Sequence, residues 1–189
     1  MEYLEQIAKA LKDSQTPFWK ANVIMTQARL ESGQFNKTNP SSIFVQSGYT
    51  NPFGMMYPTN AKRYKENGGN VISKFRSISG KNWALYSDVY GATLDRLHWD
   101  RLMVNPSINT TSDYIARLQK LGYWVEDGVD RGYTNTITNL VKKYETEHRK
   151  IFDQGSLDKN PTAKTPWYFI PLLAFFSILG INYYERKSK

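Results

Sequence analysis

Thr16-Pro17-Phe18-Trp19-Lys20-Ala21-Asn22-Val23-Ile24-Met25-Thr26-Gln27-Ala28-Arg29-Leu30-Glu31-Ser32-Gly33 is the stretch whose reading decides the fold of this chain. Thr16 offers an N-cap hydroxyl and Pro17 a residue suited to the first helical position. Val23, Ile24, Ala28 and Leu30 then recur at helical spacing. Ile24, Ala28 and Glu31 stand at i, i+4 and i+7, which predicts Glu31 on or beside the buried face. Ser32-Gly33 supplies the stop. A carboxyl group there loses its water on one side, and desolvation raises a carboxyl pKa. Such a group suits an acid that stays protonated near neutral pH and hands its proton to a leaving oxygen. The alternative reading is a glutamate that caps or ion-pairs near a helix end.

The rest of the chain reads as mainly α. Helices are expected over about 2–13, 17–32, 82–102, 111–121 and 132–151, with a long loop over Asn36 to Tyr49. The Thr110-Thr111-Ser112-Asp113 cluster is expected to cap the helix at 111. Gly54 to Ile78 reads as a small β or irregular lobe, with a strand over Asn70 to Phe75 after the Gly68-Gly69 turn. The 189 residues allow one domain with a proper core plus an extra element.

Composition narrows the chemistry. There is no cysteine, so neither disulfides nor thiolate metal sites exist. His98 and His148 are the only histidines, too few for a histidine metal site, and His98 reads as a core or helix-face residue. No Gly-rich phosphate loop follows a strand. Carboxylates, tyrosines and amides remain, and no metal or cofactor is expected. The net charge of +8 suits an acidic partner. The basic residues are scattered and form no nucleic-acid motif, so a diffuse attraction to an anionic surface or polymer is expected and nucleic acid is not.

Five short motifs stand in order. They are Ala28-Arg29-Leu30-Glu31-Ser32-Gly33; Thr50-Asn51-Pro52-Phe53-Gly54-Met55; Lys74-Phe75-Arg76-Ser77; Ser87-Asp88-Val89-Tyr90; and Leu121-Gly122-Tyr123-Trp124-Val125-Glu126-Asp127, followed by Tyr133 and Tyr144. Together they resemble the bacterial cell-wall glucosaminidase family, the lysozyme-like group of autolysins, flagellar rod-cap hydrolases and phage tail lysins. The resemblance spans about residues 16 to 147. It implies a lysozyme-like helical domain and a glycosidase in which Glu31 is the catalytic acid. Family members carry a small residue where Trp124 stands, and a tyrosine where Ile78 stands. A second acidic residue, proposed in some members, falls in the lobe before Phe75. Glu66 is the single carboxylate between Met55 and Phe75, so it is the candidate; a solvated loop glutamate is the other reading. Tyr123 is a third catalytic candidate, placed to stabilise charge on the sugar. Ser32, Asn51, Phe53, Gly54, Tyr57 and Trp124 are the candidate substrate-binding residues. For Phe53 the competing reading is core packing behind the catalytic helix.

Trp167 to Tyr184 carries no charge over 18 residues. As a helix it spans about 27 Å, near the thickness of a bilayer's hydrocarbon core. Aromatics stand at both ends and a basic tail, 185–189, follows. It is apolar on every face, unlike a surface helix. The expected organisation is a lysozyme-like domain over 1–152, a polar linker over 153–166, a C-terminal transmembrane helix over 167–184 and the tail. Met1 to Leu11 reads as an amphipathic helix and not as an export signal. A membrane-anchored enzyme of a bacteriophage virion fits this organisation, acting in envelope penetration or host lysis.

The expected function is therefore cleavage of the glycan strand of bacterial peptidoglycan. The expected partners are peptidoglycan glycan strands, the lipid bilayer of a virion or host membrane, and other virion proteins. A lytic transglycosylase on the same substrate is the nearest alternative. Two others come from different classes: a non-catalytic, membrane-anchored structural protein of a virion, and a basic membrane protein that binds nucleic acid.

Overall fold

Helix α2 (Phe18–Glu31) is the central helix of the protein. The computed structural model describes residues 2–57, 71–123 and 132–154. Every α2 residue from Ala21 to Ala28 is buried, so the helix is enclosed on all faces rather than striped. Around it pack α1 (Glu2–Asp13), α5 (Thr111–Lys120) and α6 (Tyr133–Gln154). α4 (Val89–Met103) packs on α1 and on the small sheet. The described residues are thus mainly helical with a two-stranded sheet.

The ends of α2 show why it sits where it does. Pro17, not Thr16, takes the N-cap, with extended backbone (φ −64°, ψ 145°) and no side-chain cap. Thr16 is engaged elsewhere: its N–H donates to Leu11 O at 2.9 Å and closes the end of α1. The stop falls as the sequence predicts. Ser32 is the C-cap, its N–H donating to Ala28 O at 3.1 Å, and Gly33 follows at φ +61°. Glu31 is therefore the last residue of a buried helix. The loop expected over Asn36 to Tyr49 contains one short helix, α3 (Ile43–Gln46), which buries Phe44.

The lobe differs from expectation at one place. Strand β1 (Val71–Arg76) pairs antiparallel with β2 (Asn82–Tyr86), Phe75 facing Trp83 and Val71 facing Tyr86. Residues 82–86 are thus a strand, where the sequence reading begins a helix. The run Asn82-Trp83-Ala84-Leu85-Tyr86 is short and apolar, and pairing on both edges decides its state. On its other edge Ala84 N–H donates to Met55 O at 3.0 Å and Tyr57 N–H to Asn82 O at 3.2 Å. The helix begins only after Asp88, whose side chain accepts from Gly91 N–H at 2.7 Å. Likewise Thr110 caps α5, accepting from Asp113 N–H, as expected. Tyr86 Oη donates to the fully buried Asp95 at 2.5 Å and ties β2 to α4.

His98 lies on the buried side of α4, 8% exposed. Glu66, Trp124 and the apolar segment 167–184 fall outside the described residues. Among the described residues no helix is long and apolar enough to cross a membrane. The domain boundary expected at 152 falls inside α6, which runs to Gln154.

His148 shows how closely α6 is bonded to α2. Asn22 Nδ2 donates to Val141 O at 3.1 Å, which turns Asn22 Oδ1 toward His148 Nδ1 at 2.7 Å. His148 Nδ1–H is therefore the donor. Burial, then the nearby Arg29 charge, lowers its pKa to about 3. In the unfolded chain the ring titrates near about 6.5. Between these values the unfolded state binds the extra proton, so stability is complete above about pH 6.5 and falls as pH drops toward 3. The slope from this one group approaches about 1.4 kcal/mol per pH unit. Urea unfolding of wild type and His148→Gln at pH 7.5, 5.5 and 4.5 measures it, and the variant is expected to show the shallower decline.

Candidate active site

Glu31 is held at the C-terminal end of α2, where the helix meets the Gly54 loop and the first turn of α6. Tyr133, the first residue of α6, donates its hydroxyl to Glu31 Oε1. Burial pushes the Glu31 pKa above the ordinary carboxylate value, and the Tyr133 hydrogen bond works against that shift without reversing it. The Tyr133 hydroxyl is itself held above the usual tyrosine range, first by burial and then by the Glu31 carboxyl beside it. It donates and does not ionise. With Oε1 accepting from Tyr133, a proton on Glu31 belongs on Oε2.

Gly54 faces that oxygen. A Cβ built at Gly54 stands 3.8 Å from Glu31 Oε2 and 3.8 Å from Trp83 Cζ3, and the backbone there has φ +57°. Glycine thus serves the left-handed conformation. Gly54→Ala is expected to lose about 1–2 kcal/mol of stability from the φ alone. Its methyl group makes ordinary van der Waals contact with Oε2, so turnover on cell walls is expected to change only as far as the strained backbone moves the loop. Urea midpoints and the rate of turbidity loss of wall suspensions measure the two effects separately.

Three of the expected substrate-binding residues do another job. Ser32 is fully buried; its Oγ accepts from Phe35 N–H at 2.9 Å and closes the turn after α2. Asn51 is 1% exposed. Its Nδ2 donates to Met55 O at 2.9 Å and Ala84 O at 3.0 Å, and its Oδ1 accepts from Met55 N–H at 2.9 Å. One amide thus fastens the Gly54 loop to β2. Phe53 is 2% exposed and packs in the core. These side chains position the loop and present no surface to a substrate. Tyr57 is half-buried, packed against the core with Lys74 Nζ 5.9 Å from its ring centroid.

Tyr123 sits between the loop and the helical body. Its hydroxyl donates to Phe53 O at 3.3 Å, and its ring meets Trp99 edge-on with centroids 5.0 Å apart. Burial pushes its pKa up to about 12, with the Arg96 charge opposing. It is a neutral phenol at the site. Arg96, fully buried on α4, lies 4.7 Å from the Tyr123 ring and 4.9 Å from the Trp99 ring. Its guanidinium donates to Gln27 Oε1 at 3.0 Å, to Tyr114 Oη at 3.1 Å and to Asp100 Oδ1 at 3.3 Å. Asp100 also accepts from Tyr114 Oη at 2.5 Å and pairs with Lys20. This network joins α2, α4 and α5 beneath Tyr123.

Tyr133 and Trp83 were not among the sequence-derived candidates for this site. Tyr133 appeared there only as a tyrosine near the end of a motif series, before Tyr144. Trp83 had no signal, because its segment reads as helix. The site chemistry is that of one carboxyl group with a raised pKa, two neutral phenols and a glycine beside them. Among the described residues no group of carboxylates and histidines is arranged to hold a metal ion. A cavity of about 430 Å³ between α5 and α6 is lined by Thr111, Ile115, Gln119, Thr138, Val141 and Lys142 among others. Its described lining residues include no carboxyl group.

No family model, curated protein or solved structure matches this chain.

Proposed function

We propose that this chain cleaves the glycan strand of bacterial peptidoglycan, with Glu31 as general acid. The observation that carries this reading is the environment of the Glu31 carboxyl: the end of an enclosed helix, a raised pKa, one oxygen fixed by Tyr133 and the other beside Gly54. A glycosidic oxygen needs a proton as the bond breaks, and a carboxyl group whose pKa is raised by burial is suited to supply it. The lysozyme-like resemblance of the motifs points to the same substrate. The net charge of +8 suits a long anionic polymer. Clearing of a cell-wall gel by wild type, absent with Glu31→Gln, tests the reading; retention without clearing would favour a glycan-binding structural protein.

A second reading stays close to the first. Tyr133, not a carboxylate, is the hydrogen-bonding side chain on Glu31 among the described residues. Chemistry with a single acid is what a lytic transglycosylase uses, where a hydroxyl of the substrate's own muramic residue replaces water. Glu66→Gln separates the two. A large loss of activity favours a carboxylate-activated water, and a silent change favours attack from within the substrate.

We also propose that 167–184 anchors the enzyme in a membrane, as in a virion or its host. The uncharged, all-round apolar sequence supports this. Removing residues after about 160 is expected to turn a membrane-bound protein into a soluble, active one. Fractionation of both forms without detergent checks it; a full-length protein in the soluble fraction would remove the anchor.

A further inference from the structure

Four aromatic rings gather beside the end of α2. Tyr3 stacks on Phe35 with centroids 5.9 Å apart, and both meet Phe44 edge-on, at 5.2 and 5.6 Å. Tyr49 closes on Phe44 at 5.5 Å. Phe44 is fully buried, while Tyr3, Phe35 and Tyr49 are half-buried around it. Lys37 rises over this cluster, exposed, with Nζ 5.2 Å from the Tyr3 centroid and 5.2 Å from the Tyr49 centroid. Hydrogen bonding to the Tyr3 hydroxyl, with smaller effects of Tyr49 and Glu2, holds its ammonium above the usual lysine range. No carboxylate among the described residues lies within ion-pair distance of Lys37.

The backbone here is strained. Gln34, Phe35 and Tyr49 have φ of +63°, +60° and +70°. Left-handed backbone costs about 1–2 kcal/mol for such residues. Packing on Phe44, the Ser32 Oγ bond to Phe35 N–H and the Tyr49 N–H bond to Phe44 O at 2.7 Å hold them there. Strain of this kind is retained where it aims a side chain. The place is close to the chemistry. Phe35 lies four residues beyond Glu31 and Tyr49 five before Gly54, so chain length limits these separations to about 14 and 18 Å.

We propose that Lys37, steadied between Tyr3 and Tyr49, is a subsite for the carboxylate-bearing stem peptide of the glycan substrate. The inference rests on the peptidoglycan reading and deepens it. An ammonium whose position is set by two rings presents its outward donors to an anion, and the flanking rings offer flat apolar surface to the chain that carries it. A glycan stripped of peptide keeps a carboxylate only on the lactyl group of its muramic residue, held against the sugar, and has none at the reach of a stem peptide. Lys37 therefore favours peptide-bearing strands over bare ones.

The test uses the full-length protein in detergent. Its substrates are glycan strands with intact stem peptides and the same strands stripped by an amidase. The wild type is expected to prefer peptide-bearing strands, read as a ratio of KM values. That ratio is expected to fall about two- to five-fold in Lys37→Met, in line with an exposed charge contact. It is expected to be kept in Lys37→Arg and in the surface control Lys9→Met, and to shrink at high salt. An unchanged ratio in Lys37→Met, with the wild type cleaving both substrates, overturns the subsite and leaves the enzyme reading intact. A wild type that cleaves neither substrate overturns both.

Discussion

Glu31→Gln is expected to lose about 10² to 10⁴ in the rate of wall cleavage, the usual contribution of a positioned general acid. The fold is expected to survive, because a glutamine carbonyl still accepts from the Tyr133 hydroxyl. Stability makes a second, independent readout. The Glu31 pKa is raised in the folded state, above all by burial. Its folded form therefore favours the protonated acid, and stability from this group is present at low pH and lost as pH rises through the folded pKa. Glutamine resembles the neutral acid at every pH. Glu31→Gln is thus expected to unfold at a higher temperature than wild type at pH 8.5, with the gap closing at pH 4. An inactive variant with the same stability difference at both pH values would show that Glu31 is not a desolvated acid. A variant with near wild-type turnover would remove it from the mechanism.

The largest expected effect on folding belongs to Asp100. Asp100→Asn keeps the shape and removes the charge that faces Arg96 and Lys20. Lys20 is partly exposed, its side chain 22% accessible, and can turn to water. Arg96 is fully buried and cannot. A buried cation that loses its counter-charge costs about 3–5 kcal/mol. Urea denaturation is expected to show that loss. The double variant Arg96→Met, Asp100→Leu removes both charges, so it is expected to recover a good part of it. If the single variant is as stable as wild type, the network is not what joins α2, α4 and α5.

Glu31 was legible because local signals agreed: apolar spacing through Ile24 and Ala28, then Ser32-Gly33 as a stop. The Thr110 cap was legible for the same reason, since a cap is settled within four residues. The contact of Tyr133 with Glu31 joins positions 102 apart in sequence, and no periodicity reaches that far. Nothing in the sequence sets Arg96 apart from the other arginines; its burial follows from Gln27, Tyr114 and Asp100 closing around it. Residues 82–86 went astray because a five-residue apolar run suits helix or strand equally, and partners on both edges decided. Ser32, Asn51 and Phe53 carry their motif's letters, yet their side chains are spent holding backbone. A motif marks where a loop must be fixed as readily as where a substrate binds. The left-handed turn at Gly33-Gln34-Phe35 was half visible: Gly33 announces it, while Gln34 and Phe35 follow only because Ser32 and Phe44 hold them.

Mass spectrometry of the fragments released from purified peptidoglycan tests the central claim most directly. The account predicts shortened glycan strands with new sugar ends, reducing or anhydro-muramic, from the wild type and none from Glu31→Gln. Intact glycan strands after prolonged digestion with the folded wild type, or cuts confined to the peptide stems, would contradict it.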